Sequence, residues 1–170
     1  MQAITHLLTG ILIEKTCTPI SRPSLKVGVM AVIGILSHGL LDRLARLTYH
    51  PANAHWHDLF WIAFHIPIYI SAMVVFIHHW GRYKLGMIFA MLPDFDWLII
   101  KPLSLFGIQI KTNLHDATYA VIDSIPILNQ TAQIPSLTEQ KQGVILELVF
   151  ILFLSIVSFN LSNNHRSNAT

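Results

Sequence analysis

The stretch L-S-H-G-L-L-D-R-L-A-R-L-T-Y-H-P-A-N-A-H-W-H-D, Leu36 to Asp58, holds four histidines and two aspartates between two long apolar runs. The first run, Leu25 to Leu41, is almost continuously apolar, and the second, Leu59 to Ile77, is apolar and aromatic. The polar stretch therefore reads as the connection between two membrane-embedded helices. In a chain only 12% charged, such groups are scarce, and their grouping carries information. His38 and Asp42 stand four apart, which on a helix places both side chains on one face, one turn apart. An imidazole and a carboxylate so placed can share one divalent cation. Taken alone, the pair is a weak signal, because Asp42 can equally meet Arg43 or Arg46 at a helix end.

The whole chain supports the membrane reading. Its 170 residues suit one domain, 53% of them are hydrophobic, and the mean hydropathy is +0.54. That combination points to an all-α, polytopic membrane bundle. The net charge of +2 is spread along the sequence, so nothing marks a nucleic-acid surface. Cys17 stands alone, which excludes an internal disulfide.

Working outward, four stretches read as spans or near-spans: Leu25–Leu41, Leu59–Ile77, Leu85–Ile100 and Val144–Phe159. Ala3 to Ile13 is shorter and reads as re-entrant, interfacial or a tilted partial span. The expected architecture is four to five membrane-embedded helices in one domain over 1–161, with a disordered tail over 162–170. The long connection between Lys101 and Gly143 should carry one short amphipathic helix, since Leu114, Ala117, Val121 and Ile122 recur at helical spacing.

Threading these segments back and forth gathers the polar groups on one face. The second segment arrives at His38 and Asp42, the third leaves at His57 and Asp58, and the fourth delivers Asp94 and Asp96. The connection carrying His115, Asp116 and Asp123 follows on the same face, where His6 also starts. Ionisable groups inside a bilayer cost several kcal/mol unless paired or metal-bound, so their convergence marks a functional site. In L-P-D-F-D-W, Pro93 should kink or stop the helix and let Asp94 and Asp96 face one cation. His50, His55 and His57 read as an interfacial loop beside Tyr49 and Trp56, His65 as hydrogen-bonded within the bundle, and His78 and His79 as interfacial.

Three motifs carry a resemblance: M-Q-A-I-T-H-L-L-T-G, G-I-L-S-H-G-L-L-D-R-L-A-R-L-T-Y-H-P and G-M-I-F-A-M-L-P-D-F-D-W. Together they resemble the bacterial inner-membrane metal-dependent hydrolases described as LexA-regulated and membrane-associated. That family's pattern has an early His, P-D-x-D, H-R-G-x-T-H-S and a later S-H-x-x-x-D. The resemblance implies His6, His38, Asp42, Asp94 and Asp96 as metal ligands, with His115 matching the first His of the third element. Here S-H-x-x-x-D precedes P-D-x-D, and Tyr119 stands in place of that element's second His. The resemblance also implies a bacterial inner-membrane location.

Mixed His and carboxylate ligation suits Zn²⁺, Mn²⁺ or Fe²⁺ better than Mg²⁺, with Zn²⁺ or Mn²⁺ the expected ion. Such an ion lowers the pKa of bound water toward about 7 and polarises a phosphoryl or acyl oxygen. A site at the bilayer surface suggests a lipid or phosphoester substrate, its phosphate steadied by Arg43 or Arg46. A metal transporter, a non-catalytic metal-binding protein and a purely structural membrane protein are the alternatives. Positive charges near span ends number six on the face opposite the site (Lys15, Arg22, Lys26, Arg82, Lys84, Arg166) and four beside it (Arg43, Arg46, Lys101, Lys141), with Lys111 set aside as remote from any span end. The positive-inside bias then turns the site toward the periplasm or exterior.

Overall fold

The computed structural model describes residues 1–51, 53, 55–96, 102, 103, 105–108 and 114–167, the last six by backbone alone. Lys101, Lys111 and the side chain of Arg166 lie outside these. Every regular element among the described residues is helical. The main helices are α1 (Ala3–Thr16), α2 (Pro23–Leu44), α3 (Leu59–Met91), α4 (Leu114–Ser124), the single turn α5 (Pro126–Asn129) and α6 (Gly143–Ser167). Thus α6 continues into the stretch expected as a tail, and 168–170 are outside the described residues.

Three helical segments are long and apolar enough to cross a membrane: Pro23–Leu47, Leu59–Asp94 and Gly143–Leu161. The expected four to five membrane-embedded helices are not confirmed by this count, for two physical reasons. Helix α1 has 14 residues, about 21 Å at 1.5 Å per residue, against about 30 Å of hydrocarbon. The stretches expected as separate third and fourth spans belong to one element, broken not at Pro67 but at Tyr83, whose backbone is non-helical (φ −129, ψ 31).

The two arms of α3 run along α1 in opposite senses. Before the break, His65 lies beside Tyr49, with ring centroids 5.7 Å apart. The next residue, His50, meets the Gln2 amide at 3.1 Å, so this arm begins level with the start of α1. At the break the Lys15 ammonium lies over the Tyr83 ring, 5.1 Å from its centroid, at the far end of α1. Beyond it, Gly86 lies against Gly10 and Ala90 reaches His38. The chain has doubled back, and Asp94 returns to the end from which α3 set out.

Helix α1 is the enclosed centre of this bundle. Ile4, Leu7, Leu8 and Ile11 are buried among Trp61, Phe64, Ile68 and Met87 of α3 and Leu154 of α6. Its buried residues lie on every side of it, as befits an enclosed helix, with Thr5, His6 and Lys15 buried among the apolar ones. In contrast Val74, Ile77, Leu152 and Phe153 on α3 and α6 point outward and are exposed, the pattern of a lipid-facing surface. In lipid, apolar burial drives helix pairing weakly, and close backbone approach counts for more. Gly10 and Gly86 supply it: a Cβ on Gly10 would sit 2.5 Å from the Gly86 carbonyl oxygen. At the base of α6, the enclosed Glu147 accepts from Thr5 Oγ1 at 2.7 Å and from the Gln2 backbone N–H at 3.4 Å, tying α6 to α1.

The expected amphipathic helix is α4. Its buried face is Thr118 and Ile122, while Ala117 and Val121 of the expected apolar set are exposed. The partner explains the choice. Thr118 and Ile122 straddle Gly39 of α2, where a Cβ would lie 2.5 and 2.6 Å from their side-chain carbons. Helix α4 thereby lies across the end of α2.

Candidate metal centre

Four elements deliver the polar groups. Helix α1 contributes His6, and the last turns of α2 contribute His38 and Asp42. A 3-10 turn, Leu92–Asp94, contributes Asp94, with Asp96 just after it, and the first turn of α4 contributes His115. Pro93 acts here as its sequence implies: α3 stops at Met91, and the tight turn re-aims the following aspartates.

His38 is the hub. It is fully enclosed, and its Nδ1 donates to the Ala90 carbonyl oxygen at 2.7 Å. A carbonyl only accepts, so Nδ1 carries a proton, and Nε2 is the nitrogen turned inward. Around that atom stand Asp42 Oδ2 at 3.2 Å, His115 Nε2 at 3.2 Å and Asp94 Oδ1 at 3.5 Å. His115 Nε2 is in turn 3.6 Å from Asp42 Oδ2 and 3.7 Å from Asp94 Oδ1. Ligand atoms about 2.1 Å from a tetrahedral ion are separated by about 3.4 Å. These five separations are close to the edges of a coordination shell, with His38 and His115 common to both carboxylates, and a donor set of imidazoles and carboxylates fits a borderline divalent ion.

Asp42 is shared with a second group. Its Oδ1 lies 3.2 Å from His6 Nε2 and 3.1 Å from the Met1 amino group. The His6 ring stacks on His38, centroids 4.1 Å apart, and its Nδ1 is enclosed without a hydrogen-bond partner. His6, His38 and Asp42 thus form a second triplet able to hold an ion, beside His38, Asp94 and His115.

Asp96 stands differently from the other candidates. Its Oδ2 accepts from the backbone N–H of His115 at 3.1 Å and lies 3.6 Å from His115 Nδ1. It sits behind the histidine ring, on the side away from Nε2. The two arginines expected to steady a substrate phosphate are both engaged elsewhere. Arg43 pairs with Asp123 at 2.7 Å and lies over the Tyr119 ring, 5.0 Å from its centroid. Arg46 donates to the Ala132 carbonyl. Both hold the connection against the end of α2.

Sequence reasoning assigned no role to Tyr119 or the Ala90 carbonyl. Tyr119 stands one turn after His115 on α4 and donates from its hydroxyl to Asp42 Oδ2 at 3.3 Å. The i, i+4 spacing of His115 and Tyr119 was the available signal. The carbonyl left none, because any residue supplies one. The remaining histidines stay out of the cluster: His65 bonds to Trp61 O in its own helix at 2.9 Å, and His55 and His57 line a surface depression with Asp58.

The electrostatics of α4 follow from this crowding. The hydrogen bond to Asp42 raises the His115 pKa above its ordinary value; burial opposes this, and the charges of Asp42, Asp94 and Asp96 add to it. Burial pushes the Tyr119 hydroxyl upward, with the Asp42 charge and hydrogen bond in support, so it stays a donor.

No family model, curated protein or solved structure matches the chain.

Proposed function

We propose that this chain is a membrane-bound metal-dependent hydrolase whose centre is held by His38, Asp42, Asp94 and His115. The observation that carries the reading is the pair of Nε2 atoms of His38 and His115, 3.2 Å apart and flanked by two carboxylates. A divalent ion, Zn²⁺ or Mn²⁺, supplies Lewis acidity toward a phosphoryl or acyl oxygen and acidifies bound water. The protein's own groups do the rest. His38 is oriented by Ala90, Asp42 is held by His6 and Tyr119, and the half-exposed Asp94 marks the open side where substrate enters.

The substrate is a phosphoester or lipid-like molecule with its polar head at the centre and its tails in the bilayer. The location at the end of the bundle supports this: ligands from α1, α2 and α3 meet level with the ends of the candidate spans. In this reading each arm of α3 enters the membrane, α1 reaches part-way across it, and the protein resides in a bacterial inner membrane. The charge count turns the centre toward the periplasm or exterior.

The test is hydrolysis of a phospholipid in mixed micelles by purified protein reconstituted with Zn²⁺ or Mn²⁺. Turnover that depends on added metal and is lost in Asp94→Ala is the expected result. Stoichiometric metal without turnover on phospholipid or soluble phosphoester overturns the hydrolase and leaves a metal-binding protein; metal flux into proteoliposomes would identify a carrier.

A further inference from the structure

The geometry assigns Asp96 to a positioning role: it orients His115 for the metal centre and fixes the start of α4, and is not itself a ligand. The inference rests on the metal-centre reading above and deepens it. Two contacts made by one oxygen carry it. Asp96 Oδ2 accepts from the His115 backbone N–H at 3.1 Å, one of the donors that the first turn of a helix leaves without an intrahelical partner. The same oxygen lies 3.6 Å from His115 Nδ1, on the edge of the ring opposite the Nε2 that faces His38.

A ligating histidine generally directs its second nitrogen to a carboxylate or carbonyl, which fixes the ring and raises its basicity. Both imidazoles of this centre have an acceptor on that side: Ala90 O hydrogen-bonded to His38 at 2.7 Å, and the Asp96 carboxylate within ion-pair range of His115 at 3.6 Å. Asp94 and Asp96 are thereby separated in function although only Phe95 stands between them. Asp94 faces the two Nε2 atoms, and the tight turn at Leu92–Asp94 sends Asp96 to the far side of the ring. Asp96 and His115 are 19 residues apart in sequence, and this contact joins them at the site.

The role predicts a pattern that a ligand would not give. In equilibrium titrations of the purified full chain with Co²⁺, Asp96→Asn and Asp96→Ala should bind the wild-type number of ions. Their affinity should fall about 10- to 100-fold, Asn less than Ala because its amide oxygen still accepts from the His115 N–H. The visible Co²⁺ spectrum of Asp96→Asn at saturation should match wild type, since the ligand set is unchanged. In a His115→Ala background, Asp96→Ala should weaken binding much less than it does in the wild-type background, because the ring it orients is gone and only its hold on the backbone at the start of α4 remains. Loss of stoichiometry in Asp96→Asn would show Asp96 to be a ligand. Wild-type affinity in Asp96→Ala, or full additivity with His115→Ala, would also overturn the role. A wild-type chain that takes up no Co²⁺ would overturn the metal centre itself, whereas metal binding without turnover overturns only the hydrolase.

Discussion

His38 Nε2 and His115 Nε2 face each other at 3.2 Å across the junction of α2 and α4. With His38 Nδ1 committed to the Ala90 carbonyl, Nε2 is the nitrogen left to face its partner, and when both rings are neutral it offers a lone pair. Two such nitrogens repel unless a proton or a cation lies between them. The carboxylates of Asp42 and Asp94 on either side stabilise positive charge there, whether it is carried by a proton or by a cation.

Asp42 joins the two groups of the site through its two oxygens. One oxygen meets His38, His115 and Tyr119, and the other meets His6. Asp42→Ala should abolish retained metal, while His6→Ala, which touches Asp42 alone among the carboxylates, should lower affinity and keep binding at saturation. Both proteins should remain in the membrane fraction. Equal metal content in Asp42→Ala and wild type would contradict this.

Arg43 and Asp123 form an exposed clamp between α2 and α4, at 2.7 Å. Pairs of this kind contribute up to about 1 kcal/mol. If Arg43 works by holding α4, Asp123→Ala should reproduce the effect of Arg43→Ala on metal affinity, a few-fold weakening in both. An effect of Arg43→Ala on the KM for a phosphoester, unmatched by Asp123→Ala, would restore the substrate-binding role.

The contact between Gly10 and Gly86 sets how closely α1 approaches the returning arm of α3. Gly10→Ala places a methyl group 2.5 Å from a backbone oxygen that has little freedom to move. Overpacking of this sort costs about 1–3 kcal/mol, read as a lower melting temperature in detergent. Gly28, with nothing within 4 Å of a built Cβ, is the control. Gly28→Ala should be neutral or stabilising, by up to about 1 kcal/mol, through helix propensity.

Asp58 caps α3, accepting from the Phe60 N–H at 2.8 Å. That hydrogen bond, with Lys141 in support, lowers its pKa, and slight desolvation opposes it. A carboxylate depressed in the folded state contributes stability that is present above its unfolded pKa of about 3.9 and lost as pH falls through its folded value. Wild type should therefore melt above Asp58→Asn at pH 7, and the gap should close as the pH drops below about 4. A gap independent of pH would show that the charge contributes nothing.

Much of the site was legible in the sequence, because helical spacing and alternation of segments are both one-dimensional signals. His38 and Asp42 share a helix face at the predicted spacing, and threading brought Asp94 and His115 to the same end. The number of spans was less legible. Apolar length does not reveal that α1 is enclosed rather than lipid-facing; the reversal at Tyr83 falls within the stretch where the threading turned the chain back, although neither proline nor glycine marks the residue itself. The distinct duties of Asp94 and Asp96 were hidden too, since they depend on the direction in which a 3-10 turn leaves the helix. Arg43 read as a substrate group only because its partner, Asp123, lies far along the chain.

The most direct test of the metal centre is elemental analysis of the purified full chain after reconstitution with Zn²⁺ and removal of excess ion. Wild type should retain at least one equivalent, Asp94→Ala and His38→Ala should retain none, and His78→Ala, outside the cluster, should match wild type. A wild-type protein that retains no metal, or an Asp94→Ala or His38→Ala protein that retains as much as wild type, would contradict a centre built on these residues.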